Sequence, residues 1–172
     1  MQRNNIFLIG FMGVGKSTIA RLLSDKLGMK LVEMDETIEA EQGMSIPEIF
    51  ETKGEDIFRD IESTLVEQIS HNKNAIVSCG GGAVLREKNV INMKKSGTVI
   101  FLTATPETIF ERVRDTTNRP LLAGNMNVEY IAKLMERRRT LYEEAADVII
   151  STDAKSTEMI LNEISDICVD IK

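Results

Sequence analysis

Short apolar runs alternate along the chain with segments whose apolar residues recur at helical spacing. The first run, Asn5-Ile6-Phe7-Leu8-Ile9, is apolar at nearly every position, as is typical of a strand buried on both faces. The pattern predicts five strands, at residues 5–9, 30–34, 74–78, 97–102 and 146–150. It predicts helices at residues 16–27, 35–41, 46–52, 55–71, 86–95, 106–115, 127–145 and 156–170. This alternation predicts an α/β fold, with a largely parallel sheet covered by helices on both faces.

One long stretch of the chain lacks this periodicity. Residues 116–126 include Gly124 and several polar residues, and loops of that length in compact domains are often lids or binding loops. We therefore predict a mobile lid at about residues 114–126, within a single domain that spans residues 1–172.

Residues 10–17 read Gly-Phe-Met-Gly-Val-Gly-Lys-Ser, a complete Gly-x-x-x-x-Gly-Lys-Ser phosphate-binding loop. It follows the first predicted strand and opens the first predicted helix, so the positive end of the helix dipole would face the anion. Lys16 would reach the β- and γ-phosphates, and the Ser17 hydroxyl would bind Mg²⁺. Three residues can adopt the positive φ that lets backbone N–H groups surround phosphate oxygens: Gly10, Gly13 and Gly15. The motif predicts a nucleotide-binding protein.

The composition of the chain argues against several classes of binding partner for such a site. The formal net charge of −6 argues against nucleic acid as a bulk partner, and the absence of Trp argues against a base-stacking surface. No apolar run approaches the length of a membrane span, and residues 1–5 lead into the first strand without a signal peptide. The two cysteines, Cys79 and Cys168, lack metal-ligand spacing. We expect reduced thiols and a cytoplasmic protein with no membrane partner.

The turns around the third predicted strand bear on the class of phosphate-loop protein. Asn72-Lys73-Asn74-Ala75 lacks the final acid of the guanine-specific Asn-Lys-x-Asp motif, so we interpret it as a turn. The strand then runs into Gly80-Gly81-Gly82 rather than ending in an acidic residue, as a motor ATPase would require. Three consecutive glycines cost backbone entropy and indicate close approach of another group to the main chain, although a flexible turn also fits.

Two carboxylates lie at the end of the second predicted strand. Glu33 and Asp35 are two residues apart, so on an extended strand end they would face the same side of the sheet. At the carboxyl end of a parallel strand, such an acid could hold Mg²⁺ or orient a substrate hydroxyl. The alternative is that Asp35 only caps the next helix.

Arg138 lies in the middle of an apolar stripe on its predicted helix, whereas Arg137 and Arg139 project roughly 100° to either side. The stripe consists of Ile131, Leu134, Met135, Leu141, Tyr142 and Ala145. A guanidinium that faces the interior needs an anionic partner because an unpaired buried charge is costly. That partner is either a substrate carboxylate, held by a bidentate fork, or a structural ion-pair partner.

Two further arginines carry weaker signals. Arg59 has Glu55 and Glu62 at helical spacing, which a solvated pair on the helix surface explains adequately. Arg119 lies in the stretch without periodicity, where a lid arginine could close over the nucleotide and stabilise charge on the transferring phosphoryl group.

Taken in order along the chain, these motifs make the sequence resemble the shikimate kinase family over nearly its whole length. The motifs are the loop at 10–17, the acidic pair before Ile38-Glu39, Phe58-Arg59-x-x-Glu62, Gly80-Gly81-Gly82, Arg119-Pro120-Leu121-Leu122 and Arg138-x-x-x-Tyr142. The resemblance implies a three-layer sandwich with a five-stranded parallel sheet of order 2-3-1-4-5 and a mobile lid. It implies a monomer that transfers the γ-phosphoryl of ATP to the 3-hydroxyl of shikimate with Mg²⁺, in chorismate biosynthesis.

The resemblance also implies roles for individual residues. Asp35 would engage the ring hydroxyls, including the one phosphorylated, and Arg59 and Arg138 would hold the carboxylate. The rest of the shikimate site would be Gly80, Gly81 and Gly82. The residues that bind ATP would be Gly13, Val14, Gly15, Lys16, Ser17, Thr18, Arg112 beside adenine, and Arg119 from the lid. The catalytic residues would be Lys16, Asp35 and Arg119.

One position departs from the family pattern, which usually has Asp-x-Asp where this chain has Glu33-Met34-Asp35. The first acid of the pair normally meets Mg²⁺ through water. Because Glu33 is longer by a methylene, we expect an adjusted metal shell around Ser17.

Two rival functions are a related small-molecule kinase, such as gluconate kinase, and a nucleotide-dependent regulatory module without phosphotransfer. The pair of arginines converging with Asp35 argues against the first. The second is disfavoured by four intact residues: Lys16, Ser17, Asp35 and Arg119.

Overall fold

The computed structural model describes residues 5–114 and 127–170, in which the chain forms a five-stranded parallel sheet. The strands are β1 Asn5–Ile9, β2 Lys30–Glu33, β3 Ala75–Ser78, β4 Gly97–Thr103 and β5 Val148–Ser151. The helices in these ranges are α1 Lys16–Leu27, α2 Met34–Gln42, α3 Ile46–Lys53, α4 Glu55–His71, α5 Glu87–Ser96, α6 Pro106–Val113, α7 Val128–Ala145 and α8 Thr157–Asp170, with a short 3-10 helix at Ala83–Leu85. The strand order is β2-β3-β1-β4-β5, which confirms the expected fold. Residues 115–126 of the predicted lid, including Arg119, lie outside the described residues.

Helices cover the sheet on both faces, and its central strand β1 is therefore buried at every residue. Ile6 and Leu8 pack on the face covered by α1, α6 and α8, whereas Phe7 and Ile9 pack on the face covered by α2, α4 and α5. Alternate side chains of a strand point to opposite faces, so a central strand requires an unbroken apolar run. The result is a sandwich of three layers.

Helix α7 contributes to both helical layers. Ile131, near its start, packs in the same cluster as α6 and α8, while Tyr142 and Ala145, near its end, pack in the cluster that contains α4 and α5. This path carries the middle of α7 past the carboxyl edge of the sheet, where β1 and β3 end. Within the part of the chain that the structure describes, neither α7 nor any other helix is both long enough and apolar enough to cross a membrane.

Some element boundaries differ from the prediction. Strand β2 ends at Glu33, and α2 begins at Met34, one residue earlier than expected. Strand β5 begins at Val148 rather than at residue 146, since the preceding Asp147 uses its carboxylate to accept a hydrogen bond from the Val99 N–H at 2.9 Å. The 3-10 helix after β3 was not predicted, because three residues are too few to show a helical period.

Candidate functional site

The phosphate-binding loop connects β1 to α1 at the carboxyl edge of the sheet. As predicted, its glycines have positive φ, at +144° for Gly10, +77° for Gly13 and +103° for Gly15. A Cβ on Gly10 would lie only 2.4 Å from the backbone oxygen of Leu102, so a side chain is excluded there by contact as well as by conformation. The Lys16 ammonium folds back over the loop and donates to the carbonyl oxygens of Gly10 at 2.8 Å and Phe11 at 3.0 Å.

The Ser17 hydroxyl lies where α1 begins, beside the ends of β2 and β3. It donates to Oε2 of Glu33 at 3.0 Å and is 3.3 Å from the Ser78 hydroxyl. The second Glu33 oxygen, Oε1, is buried and has no hydrogen-bond partner among the described residues. A hydroxyl and a carboxylate oxygen are hard ligands of the kind that divalent cations such as Mg²⁺ prefer.

Glu33 and Asp35 reach the cleft from two different elements, so the prediction that they share one face of a strand end was wrong. Glu33 is the last residue of β2 and the N-cap of α2, whereas Asp35 lies in the first turn of that helix. The alternation of side chains along a strand therefore does not apply to this pair, because the backbone is already helical at Met34. The alternative for Asp35 was also wrong, since the cap position belongs to Glu33.

The glycine turn (residues 80–82) leads from β3 to the 3-10 helix, and charged side chains lie against it. A Cβ on its first glycine would lie 2.8 Å from Oε1 of Glu62 and 2.9 Å from Oδ1 of Asp35. A Cβ on its third glycine would lie 2.2 Å from Nη1 of Arg59. The prediction of a close approach to the main chain is confirmed, and the approaching groups are two carboxylates and a guanidinium.

Arg59 and Glu62 form a buried ion pair against the glycine turn. Arg59 Nη1 lies 2.9 Å from Glu62 Oε2, and the two side chains are 12% and 1% exposed. Arg59 also reaches Glu55 at 3.1 Å, and its guanidinium carbon lies 5.1 Å from the centre of the Phe58 ring. Burial raises the pKa of the Glu62 carboxyl, and the charge of Arg59 opposes that rise. The interpretation of Arg59 as a solvated surface pair was therefore wrong.

Arg138 is partly buried, while Arg137 and Arg139 on either side are exposed, as the stripe predicted. Its Nη1 donates to the backbone carbonyl of Gly81 at 3.3 Å. Among the described residues, no carboxylate forms an ion pair with Arg138, so the structural alternative finds no partner in this part of the chain. One residue was assigned to the stripe wrongly. Leu141 is 38% exposed on the outer side of α7, whereas the neighbouring Tyr142 is buried on the inner side.

At the far end of the cleft, the predicted Arg112 lies beside two residues that were not predicted, Thr152 and Lys155. Arg112, on α6, donates from Nη1 to the carbonyl of Val14 and to the Thr152 hydroxyl, both at 3.1 Å. Thr152 and Lys155 follow β5 and line the same region. Their position after β5 could have indicated them, because α/β folds bind ligands at the carboxyl edge of the sheet, where β5 ends. No motif marks these two residues.

These groups line one open cleft of about 610 Å³ at the carboxyl ends of the strands. The predicted residues that line it are Gly13, Val14, Gly15, Lys16, Ser17, Thr18, Glu33, Asp35, Gly81 and Arg112. Arg59 and Arg138 approach its glycine turn from α4 and α7, the first at Gly82 and the second at the Gly81 carbonyl. The fold therefore brings an anion-binding loop together with a carboxylate and two guanidinium groups.

Curated proteins and a family model match this chain over nearly its full length. The family model for shikimate kinase matches residues 12–168. A shikimate kinase of Dehalococcoides mccartyi is 46% identical over 164 residues, which cover 95% of this chain and 93% of the relative. One of Persephonella marina is 46% identical over 160 residues, which cover 93% of this chain and 96% of the relative.

Solved structures agree with these matches. A shikimate kinase from Acinetobacter baumannii in complex with shikimate has a TM-score of 0.91 and 32% identity, and the match covers 98% of this chain and 94% of that one. A gluconokinase from Sinorhizobium meliloti has a TM-score of 0.58 and 17% identity, over 94% of this chain and 89% of that one. The second likeness extends to the fold alone.

Proposed function

Because the chain belongs to the shikimate kinase family, we propose that it transfers the γ-phosphoryl group of ATP to the 3-hydroxyl of shikimate, giving shikimate 3-phosphate and ADP. The observation that carries this proposal is the approach of Asp35, Arg59 and Arg138 to one glycine turn beside a complete phosphate-binding loop. A compact hydroxylated acid offers a hydroxyl for the carboxylate and an anion for the two guanidinium groups. The product feeds the biosynthesis of chorismate and the aromatic amino acids.

The phosphate-binding loop forms the donor half of the proposed site. Backbone N–H groups of residues 13–18 would surround the phosphate oxygens of ATP, at the positive end of α1. The Lys16 ammonium, which now contacts two loop carbonyls, would turn to the β- and γ-phosphates and neutralise charge there. Arg112 already binds the loop carbonyl of Val14, and we propose that its exposed surface lies beside the adenine ring.

The glycine turn forms the acceptor half. Asp35 would accept a hydrogen bond from the attacking hydroxyl and orient its oxygen toward the γ-phosphorus, and a loose transition state needs little more from a base. Arg59 and Arg138, which both contact the turn, would hold the shikimate carboxylate. Arg59 already pairs with Glu62, so the charge of Arg138 adds to the attraction for the shikimate carboxylate. Positioning and charge neutralisation would then supply most of the rate enhancement.

We propose Mg²⁺ as the metal that accompanies ATP, held by Ser17 with Glu33 close by. The unpartnered Glu33 Oε1 and the Ser17 hydroxyl fit such an ion, since both are hard oxygen ligands within one corner of the cleft. When bound, Mg²⁺ would neutralise charge on the phosphates. The longer side chain of Glu33 already reaches Ser17 directly, which supports an adjusted metal shell.

Several further features belong to the same proposal. Arg119, within a lid at about residues 114–126, would close over the nucleotide and stabilise the transferring phosphoryl group.

We also propose that residues 1–172 form a single domain that works as a monomer in the cytoplasm. Size-exclusion chromatography with light scattering would test the monomeric state. A dimeric mass would contradict it.

A coupled assay of ADP release, with shikimate, gluconate or no acceptor, tests the proposed function. We expect turnover that depends on shikimate, and turnover with gluconate alone would overturn the assignment. Lys16→Ala should abolish turnover in the same assay.

Two variants on α7 test the acceptor half. Arg138→Ala should weaken shikimate binding while leaving ATP binding near normal, because its guanidinium lies at the glycine turn. Arg137→Ala is the matched control, since its side chain is exposed one position away on the same helix. If Arg138→Ala binds shikimate with unchanged affinity, the role of Arg138 is structural.

A further inference from the structure

Tyr142 is buried beside the acceptor half of the site, and the reaction proposed above assigns it no part. Its ring is 2% exposed and stacks on Phe101, with ring centroids 4.9 Å apart and planes inclined by 18°. Its hydroxyl donates to the backbone carbonyl of Gly81 at 2.5 Å. The stacking fixes the plane of the ring, so the hydroxyl is presented to this one carbonyl by a rigid support.

The Gly81 carbonyl accepts two hydrogen bonds from α7, one from Tyr142 at 2.5 Å and one from Arg138 at 3.3 Å. A carbonyl oxygen has two lone pairs, so this acceptor is fully used and the peptide plane between Gly81 and Gly82 is held in orientation. That peptide is trans, so the Gly82 N–H points away from α7. Among the described residues, this N–H makes no hydrogen bond.

Tyr142 and Arg138 are four residues apart, so they lie one helical turn apart on the same face of α7 and donate to the same carbonyl. Burial raises the pKa of the Tyr142 hydroxyl, and the positive charge of Arg138 opposes that rise. The phenol therefore stays protonated and donates its hydrogen to the Gly81 carbonyl. This carbonyl thus connects both side chains of α7 to the glycine turn.

We propose that Tyr142 is a positioning residue for the acceptor, an inference that rests on the proposed function. Its hydroxyl holds the Gly81–Gly82 peptide in the orientation in which the same carbonyl also receives Arg138, so that the turn and the guanidinium are arranged to receive the shikimate carboxylate. Without the hydroxyl, Arg138 alone would hold the carbonyl, by the longer of the two bonds. The residue touches neither the reacting oxygen nor the phosphoryl group, so its effect belongs to shikimate binding and not to the chemical step.

Tyr142→Phe tests this proposal, because it keeps the stacked ring and removes only the hydroxyl. We expect the Kd and KM for shikimate to rise roughly three- to tenfold, the range that one neutral hydrogen bond supports. The KM for ATP and the kcat at saturating shikimate should stay at wild-type values. Tyr130→Phe is the matched control on the same helix, since the Tyr130 hydroxyl makes no hydrogen bond to any described residue.

Phe101→Leu separates positioning from packing. It removes the stacking partner but keeps the Tyr142 hydroxyl, which can still donate to Gly81, so it should lower Tm with a smaller change in shikimate affinity than Tyr142→Phe. Wild-type shikimate affinity in Tyr142→Phe, or equal losses of ATP and shikimate affinity, would overturn the proposal. If wild-type protein does not phosphorylate shikimate at all, the proposed function fails instead, and the two failures are therefore distinguishable.

Discussion

Replacing Gly82 by alanine should disable the acceptor half of the site while leaving the fold intact. The backbone at Gly82 has φ −104° and ψ 3°, a conformation that alanine can adopt. The added Cβ would lie 2.2 Å from Nη1 of Arg59, however, and only contacts beyond about 3.4 Å are ordinary. The guanidinium must therefore move away by about 1 Å.

That movement affects a side chain with little freedom. Arg59 is 12% exposed and is held by Glu62 at 2.9 Å and by Glu55 at 3.1 Å. A hydrogen bond to a charged group contributes about 1.5–3 kcal/mol, so the loss of one such bond to shikimate should weaken its binding roughly 10- to 150-fold. The free energy of unfolding should fall by no more than about 2 kcal/mol, because a compatible Gly→Ala change restricts the unfolded chain and offsets part of the strain.

Calorimetric titration with shikimate and with ATP, together with urea denaturation, measures these effects. A double-mutant cycle with Arg59→Ala supplies the control, because a methyl group that acts by displacing Arg59 should cost less than about 0.5 kcal/mol once that side chain is gone. Wild-type shikimate affinity in Gly82→Ala would refute the steric reasoning. Full additivity with Arg59→Ala would show that the methyl group blocks the substrate directly.

Three further changes test other parts of the structure. Gly10→Ala should lower the free energy of unfolding in urea by about 2–5 kcal/mol, because alanine would be strained at φ +144° and would contact the Leu102 oxygen; a wild-type transition would contradict this. Burial raises the folded-state pKa of Glu62 above its ordinary 4.5, so its contribution is complete below that pH and is lost as pH rises through the folded pKa. The stability of wild type relative to Glu62→Gln should therefore decline as pH rises, whereas a growing advantage would mean that the charge of Arg59 outweighs burial. Glu33→Gln should raise the Mg²⁺ concentration for half-maximal nucleotide binding roughly tenfold, and an unchanged Mg²⁺ dependence would exclude Glu33 from the metal shell.

The donor half of the candidate site was predictable because its determinants are local. In the phosphate-binding loop, the order of three glycines, a lysine and a serine fixes the backbone conformation, and the observed φ values of Gly10, Gly13 and Gly15 agree with it. The apolar run of β1 likewise predicted a buried strand. Both signals depend on neighbours within about ten residues, so they can be seen in the linear chain.

The acceptor half depended on contacts between distant segments. The spacing of Glu55, Arg59 and Glu62 suggested a surface pair, yet the third of these residues is 1% exposed because α4 packs against the glycine turn. Glu33 and Asp35 were assigned to one strand face, and the structure instead starts a helix between them. Helical spacing says which residues share a face, but not which neighbouring element covers that face.

Local spacing and backbone conformation are enough to predict the α/β alternation, the anion-binding loop and the inward position of Arg138. Tertiary packing then settles which charges meet. It buries Glu62 against Arg59, brings Tyr142 and Arg138 to the Gly81 carbonyl, and carries Thr152 to the far end of the cleft. These contacts join residues as many as 61 positions apart along the chain, and burial and pairing there depend on how the layers pack around the carboxyl edge of the sheet.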